Sequence, residues 1–253
     1  MIAVAGPLRG TTAMELARSA VERDGSALEA LDAATLIERV LVDRSFGRVG
    51  VVSSFGAESA VLLHLVARVD TQTPVLFIDT GKLFGETLRY AERLKGHLGL
   101  TDFRMLEPQA ETVASADPRG DLWREDADAC CEVRKVVPLT RALGEFDTWI
   151  TGRKRFQGPT RATLDKTEIV DGRLKVNPLA TWTRADLDDY FAAHDLPRHP
   201  LEADGFLSIG CYTCTERVGA GEDSRAGRWR GLQKTECGIH IPAGGAAARM
   251  PPR

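Results

Sequence analysis

Apolar positions along the chain recur first at helical and then at strand spacing. Ser26-Ala27-Leu28-Glu29 has the form of a capping box, and Leu36, Ile37, Val40 and Leu41 follow on one helical face, which predicts a first amphipathic helix. The residues before it show little periodicity and are expected to be loosely attached. Val49 to Val52 reads as a short buried strand, Ser53 to Gly56 as a turn of small residues, and Ala60 to Val66 as a helix that is apolar almost all round. The pattern then repeats: Pro74 to Ile78 is a strand, Asp79-Thr80-Gly81 a turn, and Glu86 to Leu98 a helix with Leu88, Ala91 and Leu94 inward. Phe103 to Leu106 and Thr148 to Thr151 supply two more strands, and Thr183 caps a later helix carrying Leu187, Tyr190 and Phe191.

Strands alternating with helices of this length predict an α/β fold, an open, mostly parallel sheet with helices on both faces. Such sheets bind ligands at the carboxyl ends of their strands, where the turns beginning at Ser53, Asp79 and Gly152 all fall. Beyond Pro200 glycine and charge dominate, and the last stretch, IPAGGAAARMPPR, is expected to be disordered.

Composition narrows the function classes. The 253 residues carry 33 Lys and Arg against 36 Asp and Glu, a formal charge of −3, so the chain lacks the cationic field that draws proteins onto nucleic acid. No run approaches the length of a membrane span, and MIAVAGPLRG meets Pro7 and Arg9 before a signal-peptide core can form, so a cytoplasmic protein is expected. A homo-oligomer stays open.

The turn Ser53-Ser54-Phe55-Gly56-Ala57-Glu58-Ser59 between a strand and a helix has the small residues and free backbone N–H groups of an anion site. It lacks a G-K-[ST] ending, which disfavours a Walker-type nucleoside triphosphatase. The Ser-Gly-Gly-x-Asp-Ser loop of the ATP-pyrophosphatases is similar, but Phe55 stands at its first glycine and Glu58 at its aspartate. The bulk of Phe55 is expected to crowd a triphosphate and to admit a smaller anion.

Five cysteines fall as Cys130-Cys131, Cys211-x-x-Cys214 and Cys237, an odd number in a chain read as residing in a reducing compartment, so a disulfide framework is disfavoured. The first four can hold zinc or an iron–sulfur cluster, or serve as buried structural thiols; adjacent cysteines diverge on a helix, which suits a cluster better than one small tetrahedron. Cys237, in Lys234-Thr235-Glu236-Cys237-Gly238-Ile239-His240, is a candidate nucleophile on a flexible segment. Cations favour its thiolate and Glu236 hinders it. Arg225, Arg228 and Arg230 lie just upstream.

Taken together, Cys130-Cys131-Glu132-Val133-Arg134-Lys135-Val136-Val137-Pro138-Leu139, Gly210-Cys211-x-x-Cys214, Gly227-Arg228-Trp229 and the Lys234–His240 motif resemble the assimilatory adenylylsulfate (APS) reductases of the phosphoadenylylsulfate/adenylylsulfate reductase family. The likeness extends from about Val49 to His240.

The resemblance implies an adenine-nucleotide-hydrolase-like α/β fold with one four-iron four-sulfur cluster on Cys130, Cys131, Cys211 and Cys214. It implies that Cys237 attacks the sulfonucleotide sulfur, expels AMP and becomes S-sulfocysteine, from which thioredoxin releases sulfite. It further implies a substrate site made of Ser53, Ser54, Phe55, Gly56, Ala57, Glu58, Asp79, Thr80, Gly81, Lys135, Arg155, Arg225 and Arg228. Lys135 is expected to link cluster and substrate electrostatically. In the loop Gly152-Arg153-Lys154-Arg155, Arg155 takes the place of the family's second arginine, whereas Lys154 replaces an arginine and leaves its own role open. Family members with both cysteine pairs mostly use adenylylsulfate; the 3′-phosphorylated form is the alternative substrate.

On this reading residues 1–45 form a helical extension, 46–217 the sulfonucleotide- and cluster-binding α/β domain, 218–240 a mobile catalytic segment and 241–253 a disordered tail. Two competing readings are a cluster- or zinc-bearing nucleotide sensor without turnover and an ATP-pyrophosphatase relative. A sensor has no use for a mobile fifth thiol, and a pyrophosphatase needs a more open turn than one holding Phe55.

Overall fold

The computed structural model describes residues 13–232 and 234–240. The helices are α1 (Ala13–Ala30), α2 (Ala33–Val42), α3 (Ser59–Ala67), α4 (Gly85–Leu98), α5 (Ala110–Ala116), α6 (Leu122–Glu125), α7 (Ala127–Cys131), α8 (Val137–Leu143) and α9 (Arg184–Ala193). The strands are β1 (Val49–Ser53), β2 (Val75–Ile78), β3 (Phe103–Leu106), β4 (Thr148–Thr151), β5 (Thr167–Val170) and β6 (Arg173–Val176). They form one sheet in the order β3-β2-β1-β4-β6-β5, parallel except for the edge strand β5. The strand period of two sorts the core onto both faces. Val51, Phe77 and Ile150 face a cluster with Leu36, Ile37 and Val40 of α2, Leu63 of α3 and Leu94 of α4. Val52, Leu76 and Trp149 face the other side, against Leu139 and Leu143 of α8. Each such side chain stabilises the fold by ~1.5–3 kcal/mol through burial alone.

The four apolar strands read from the sequence are present, as is the Thr183 cap, whose hydroxyl accepts from the Asp186 N–H. Two expectations are corrected. Ser26 does not begin a helix; it lies inside α1, and the next helix starts at the Asp32 cap, whose carboxylate accepts from the Thr35 N–H at 3.0 Å. Nor are residues 13–25 loose, because they form one helix with the buried Leu28 and with Glu29, whose carboxylate accepts from the backbone N–H groups of Lys166 and Thr167 at 3.1 and 2.8 Å. The expected tail, 241–253, lies outside the described residues.

The sheet sets the position of the site. After β1 the chain moves to β2 and β3 on one side, while β4 joins β1 on the other, so the connections leaving β1 and β4 part company and open a crevice at their carboxyl ends. Ser53 and Gly152 stand at its two lips. Among the described residues no helix is long and apolar enough to cross a membrane.

Candidate active site

The turn from Ser53 to Ser59 supplies one wall of a cavity in this crevice, with Ser53, Ser54, Gly56, Ala57, Glu58 and Ser59 all lining it. Phe55 does not. Its backbone takes a left-handed φ of +48°, unusual for a bulky residue, and this turns the ring into the core, 4.9 Å from Phe77 and 5.6 Å from Phe103 between centroids. The expected crowding of the turn is therefore absent, because the side chain leaves it entirely.

Glu58 is a structural tie. Lys154 Nζ and Gln157 Nε2 donate to its Oε2, each at 2.7 Å, and Arg184 lies 2.9 Å from Oε1. Burial opposes its charge, yet Lys154 and its neighbours hold the carboxyl below the usual range. This gives Lys154 its role: buried, it binds the turn to the loop after β4. In that loop Arg153 and Lys154 line the cavity, while Arg155 turns away and donates from Nε to the Leu164 carbonyl at 2.8 Å. The expectation that Arg155 faces the substrate site is thus replaced by its neighbour Arg153 and by Arg161, which also lines the wall.

Of Asp79-Thr80-Gly81, only Thr80 reaches the cavity. Asp79 Oδ1 accepts from the Gly81 N–H at 2.8 Å and shapes the turn, with Gly81 at φ +68°. Thr80 also connects to the cysteines, its Oγ1 lying 3.2 Å from Cys211 Sγ.

Cys130 and Cys131 close α7, which Asp126 caps through the Asp128 and Ala129 N–H groups at 3.0 and 2.9 Å. A π-helical turn, Glu132–Val136, follows at once, a local geometry that recurs at functional sites. Cys130, Cys131 and Cys211 are buried and Cys214 is half-buried. Burial pushes the Cys130 thiol up and that of Cys131 up to about 12. Among the described residues no three His, Cys, Asp or Glu side chains gather closely enough to hold a single metal ion, so the cysteines form no ready-made mononuclear site. The donor set nevertheless suits a soft, anionic group: Cys211 lies within electrostatic reach of both Cys130 and Cys131, and Cys214 of Cys130, with hydroxyls of Thr80 and Thr213 beside Cys211 and Cys214 and cations alongside. Arg134 is fixed by Asp117 Oδ2 at 2.8 and 3.2 Å. Burial opposes the charge of Lys135, but the sulfurs of Cys211, Cys237 and Cys131 raise its pKa above the ordinary lysine value and keep it cationic.

The segment carrying Cys237 is docked against this wall. Lys234 pairs with Asp128, Ile239 packs with the α8 cluster, and the half-buried His240 ring lies parallel to Trp149 at 6.3 Å between centroids. Burial holds His240 well below the ordinary histidine pKa, hence neutral. Cys237 lines the cavity and is half-buried. Glu236, which the sequence marks as hindering a thiolate, is neutralised by Arg161 and Arg225 at 2.6 and 3.5 Å.

The pairings sort the cavity's cations. Arg153 is engaged by Glu168, Lys154 by Glu58, and Arg161 and Arg225 by Glu236. Lys135 and Arg228 line the same cavity and, among the described residues, have no carboxylate partner. Arg228 lies over the Trp229 ring at 4.5 Å, and it approaches the chain so closely at Gly210 that a Cβ there would meet its guanidinium at 2.4 Å. Two cations without a carboxylate partner among the described residues, beside a half-buried thiol and a strand-to-helix turn, are an arrangement suited to an anion. Arg161, Gln157 and His240 enter the wall without having been assigned from the sequence.

A sheet with this switch point and a cation-lined cavity at its mouth defines an open, mostly parallel α/β protein with a candidate ligand site at the carboxyl ends of its strands. Solved structures agree on the fold: the phosphoadenylyl-sulfate reductase of Candida auris has a TM-score of 0.67 at 23% identity over 79% of this chain and 97% of its own. The FMN adenylyltransferase of Candida glabrata follows at 0.52 and 16%, over 83% and 75%.

In sequence, residues 48–217 match the phosphoadenosine phosphosulfate reductase domain, and the chain belongs to that family. Proteins named adenosine 5′-phosphosulfate reductase are 52% identical in Chelativorans sp., over 79% of this chain and 81% of theirs, and 51% in Mesorhizobium japonicum, over 81% of each. The one from Mycolicibacterium smegmatis is 38% identical over 88% of this chain and 94% of its own.

Proposed function

We propose that this chain reduces adenosine 5′-phosphosulfate to sulfite and AMP in assimilatory sulfate reduction, in the cytoplasm, with thioredoxin or a similar dithiol as donor. The observation that carries the reading is the placement of Cys237 in the cavity that also holds the Ser53–Ser59 turn, Lys135 and Arg228. The name borne by relatives at 52% and 51% identity supports the substrate.

In the first step Cys237 Sγ, as thiolate, attacks the substrate sulfur. The bond from that sulfur to the bridging oxygen breaks, and AMP leaves with the electron pair. Backbone N–H groups of the turn hold the phosphate, and Lys135 and Arg228 face the negative charge that grows on the leaving oxygen. The Cys237 S-sulfonate then meets a donor thiolate, which bonds to Sγ and expels sulfite. The donor's second thiol resolves the mixed disulfide, so two electrons pass from dithiol to sulfur and Cys237 is restored as a thiol.

Cys130, Cys131, Cys211 and Cys214 would hold one four-iron four-sulfur cluster. When bound, it supplies a fixed negative partner for Lys135 and transfers no electrons, since the reducing equivalents arrive as thiols.

Steady-state sulfite release by anaerobically prepared protein, with thioredoxin and its reductase, tests the reading. Turnover of adenosine 5′-phosphosulfate well above that of its 3′-phosphorylated analogue is expected. Preference for the analogue would reassign the substrate, and binding of both without turnover would make the chain a nucleotide sensor.

A further inference from the structure

The carboxylate beside the nucleophile is held in a fork. Arg161 donates to Glu236 through Nε to Oε1 and through a terminal nitrogen to Oε2, both at 2.6 Å, and Arg225 lies 3.5 Å from Oε2. Arg225 also donates to the Thr235 carbonyl at 2.6 Å. Two parallel bonds between a guanidinium and a carboxylate fix orientation as well as distance. The Arg161 side chain is 7% exposed and that of Glu236 15%, so water screens the pair little.

The fork does not end at Arg161. Another of its nitrogens donates to Gln157 Oε1 at 2.5 Å, and Gln157 Nε2 donates to Glu58 Oε2 at 2.7 Å. Glu58 belongs to the Ser53–Ser59 turn. A continuous chain of hydrogen bonds therefore runs from the wall that receives the anion to the residue next to Cys237.

We propose that Glu236 is the positioning residue of the catalytic segment: its carboxylate latches the segment onto Arg161 and Arg225 and so seats the Cys237 thiol in register with the turn. This rests on the reductase reading. The latch consumes the charge of Arg161 and Arg225 and leaves Lys135 and Arg228 for the substrate. Glu236 is thus a latch and not an internal competitor for the anion site.

Glu236→Gln keeps the shape and removes the charge, and two measurements on the anaerobic full-length protein decide the matter. The first is the rate of trypsin cleavage after Lys234, whose side chain is 7% exposed in the docked segment. It should rise about tenfold in the variant as the segment opens more often. The second is single-turnover AMP release without thiol donor, which should fall by about 10²-fold, the scale set by a misplaced reacting group, with affinity for AMP unchanged. Glu236→Asp, which keeps the charge on a shorter stem, should recover part of both effects. Adding Arg161→Gln to Glu236→Gln should cost little more than either alone.

Unchanged cleavage at Lys234 in Glu236→Gln, or AMP bound more tightly with AMP release undiminished, would overturn the latch. Cleavage decides independently of turnover: if the wild-type protein releases no AMP, the reductase reading falls, while the latch stands or falls on the protease rates.

Discussion

Cys237→Ser should release no measurable sulfite from adenosine 5′-phosphosulfate, a loss of at least ~10⁴-fold in turnover, while AMP affinity stays within about twofold. A serine hydroxyl matches the thiol in shape but offers almost no anion at neutral pH, so nothing attacks the sulfur. Binding should survive, because on the proposed reading the phosphate is held elsewhere, by the turn at Ser53–Ser59 and by Lys135 and Arg228, which line the cavity and which the substitution does not touch. Sulfite assay and calorimetry with AMP check the two halves. Residual turnover within tenfold of wild type would remove Cys237 from the chemistry.

Cys131→Ser should have the second largest effect, by a different route. Burial pushes its thiol up to about 12, so deprotonation at Cys131 calls for a compensating positive centre, which the iron of the proposed cluster would supply. With one thiolate missing, the protein should lose its iron and acid-labile sulfide and the brown absorbance, and melt ~9 °C lower, equivalent to about 3 kcal/mol for a chain of this size. Iron analysis and a melting curve measure this. Full iron content with an unchanged melting curve would exclude Cys131 as a ligand, and wild-type protein that is colourless, iron-free and fully active would exclude the cluster altogether.

What the sequence made legible follows from how local each feature is. Val49 to Val52, Pro74 to Ile78 and Thr148 to Thr151 declare themselves because central parallel strands are buried on both faces and read as apolar runs, whereas Phe103 to Leu106, at the sheet edge, is only partly buried and is legible from Phe103, Met105 and Leu106 alone. The β5–β6 hairpin was missed because Glu168, Arg173 and Lys175 interrupt its apolar pattern, although Asp171-Gly172, with φ of +49° and +75°, is a strong two-residue turn signal. Ser26 misled for the opposite reason: Ser-x-x-Glu has the same local chemistry inside a helix as at its start, and Asp32 wins because the chain breaks there.

The site divides along the same line. Cysteine pairs and the Ser53–Ser59 turn are contiguous and could be read directly. Arg161 and Glu236 are 75 positions apart, and only the fold joins them. Whether Arg153 or Arg155 faces the cavity depends on the direction the loop takes after β4, which Lys154 sets by pinning Glu58. No residue type betrays that. Phe55 shows a further limit, since its bulk was legible but the left-handed backbone that sends the ring into the core was not.

The division between a fixed quartet of sulfurs and one that reacts is most directly tested by intact-mass and peptide mapping of anaerobic protein mixed with adenosine 5′-phosphosulfate in the absence of any thiol donor. The account predicts one sulfonate per chain, on the peptide containing Cys237, formed in step with AMP and discharged as sulfite when reduced thioredoxin is added. AMP released with no adduct, or an adduct on Cys130, Cys131, Cys211 or Cys214, would contradict it.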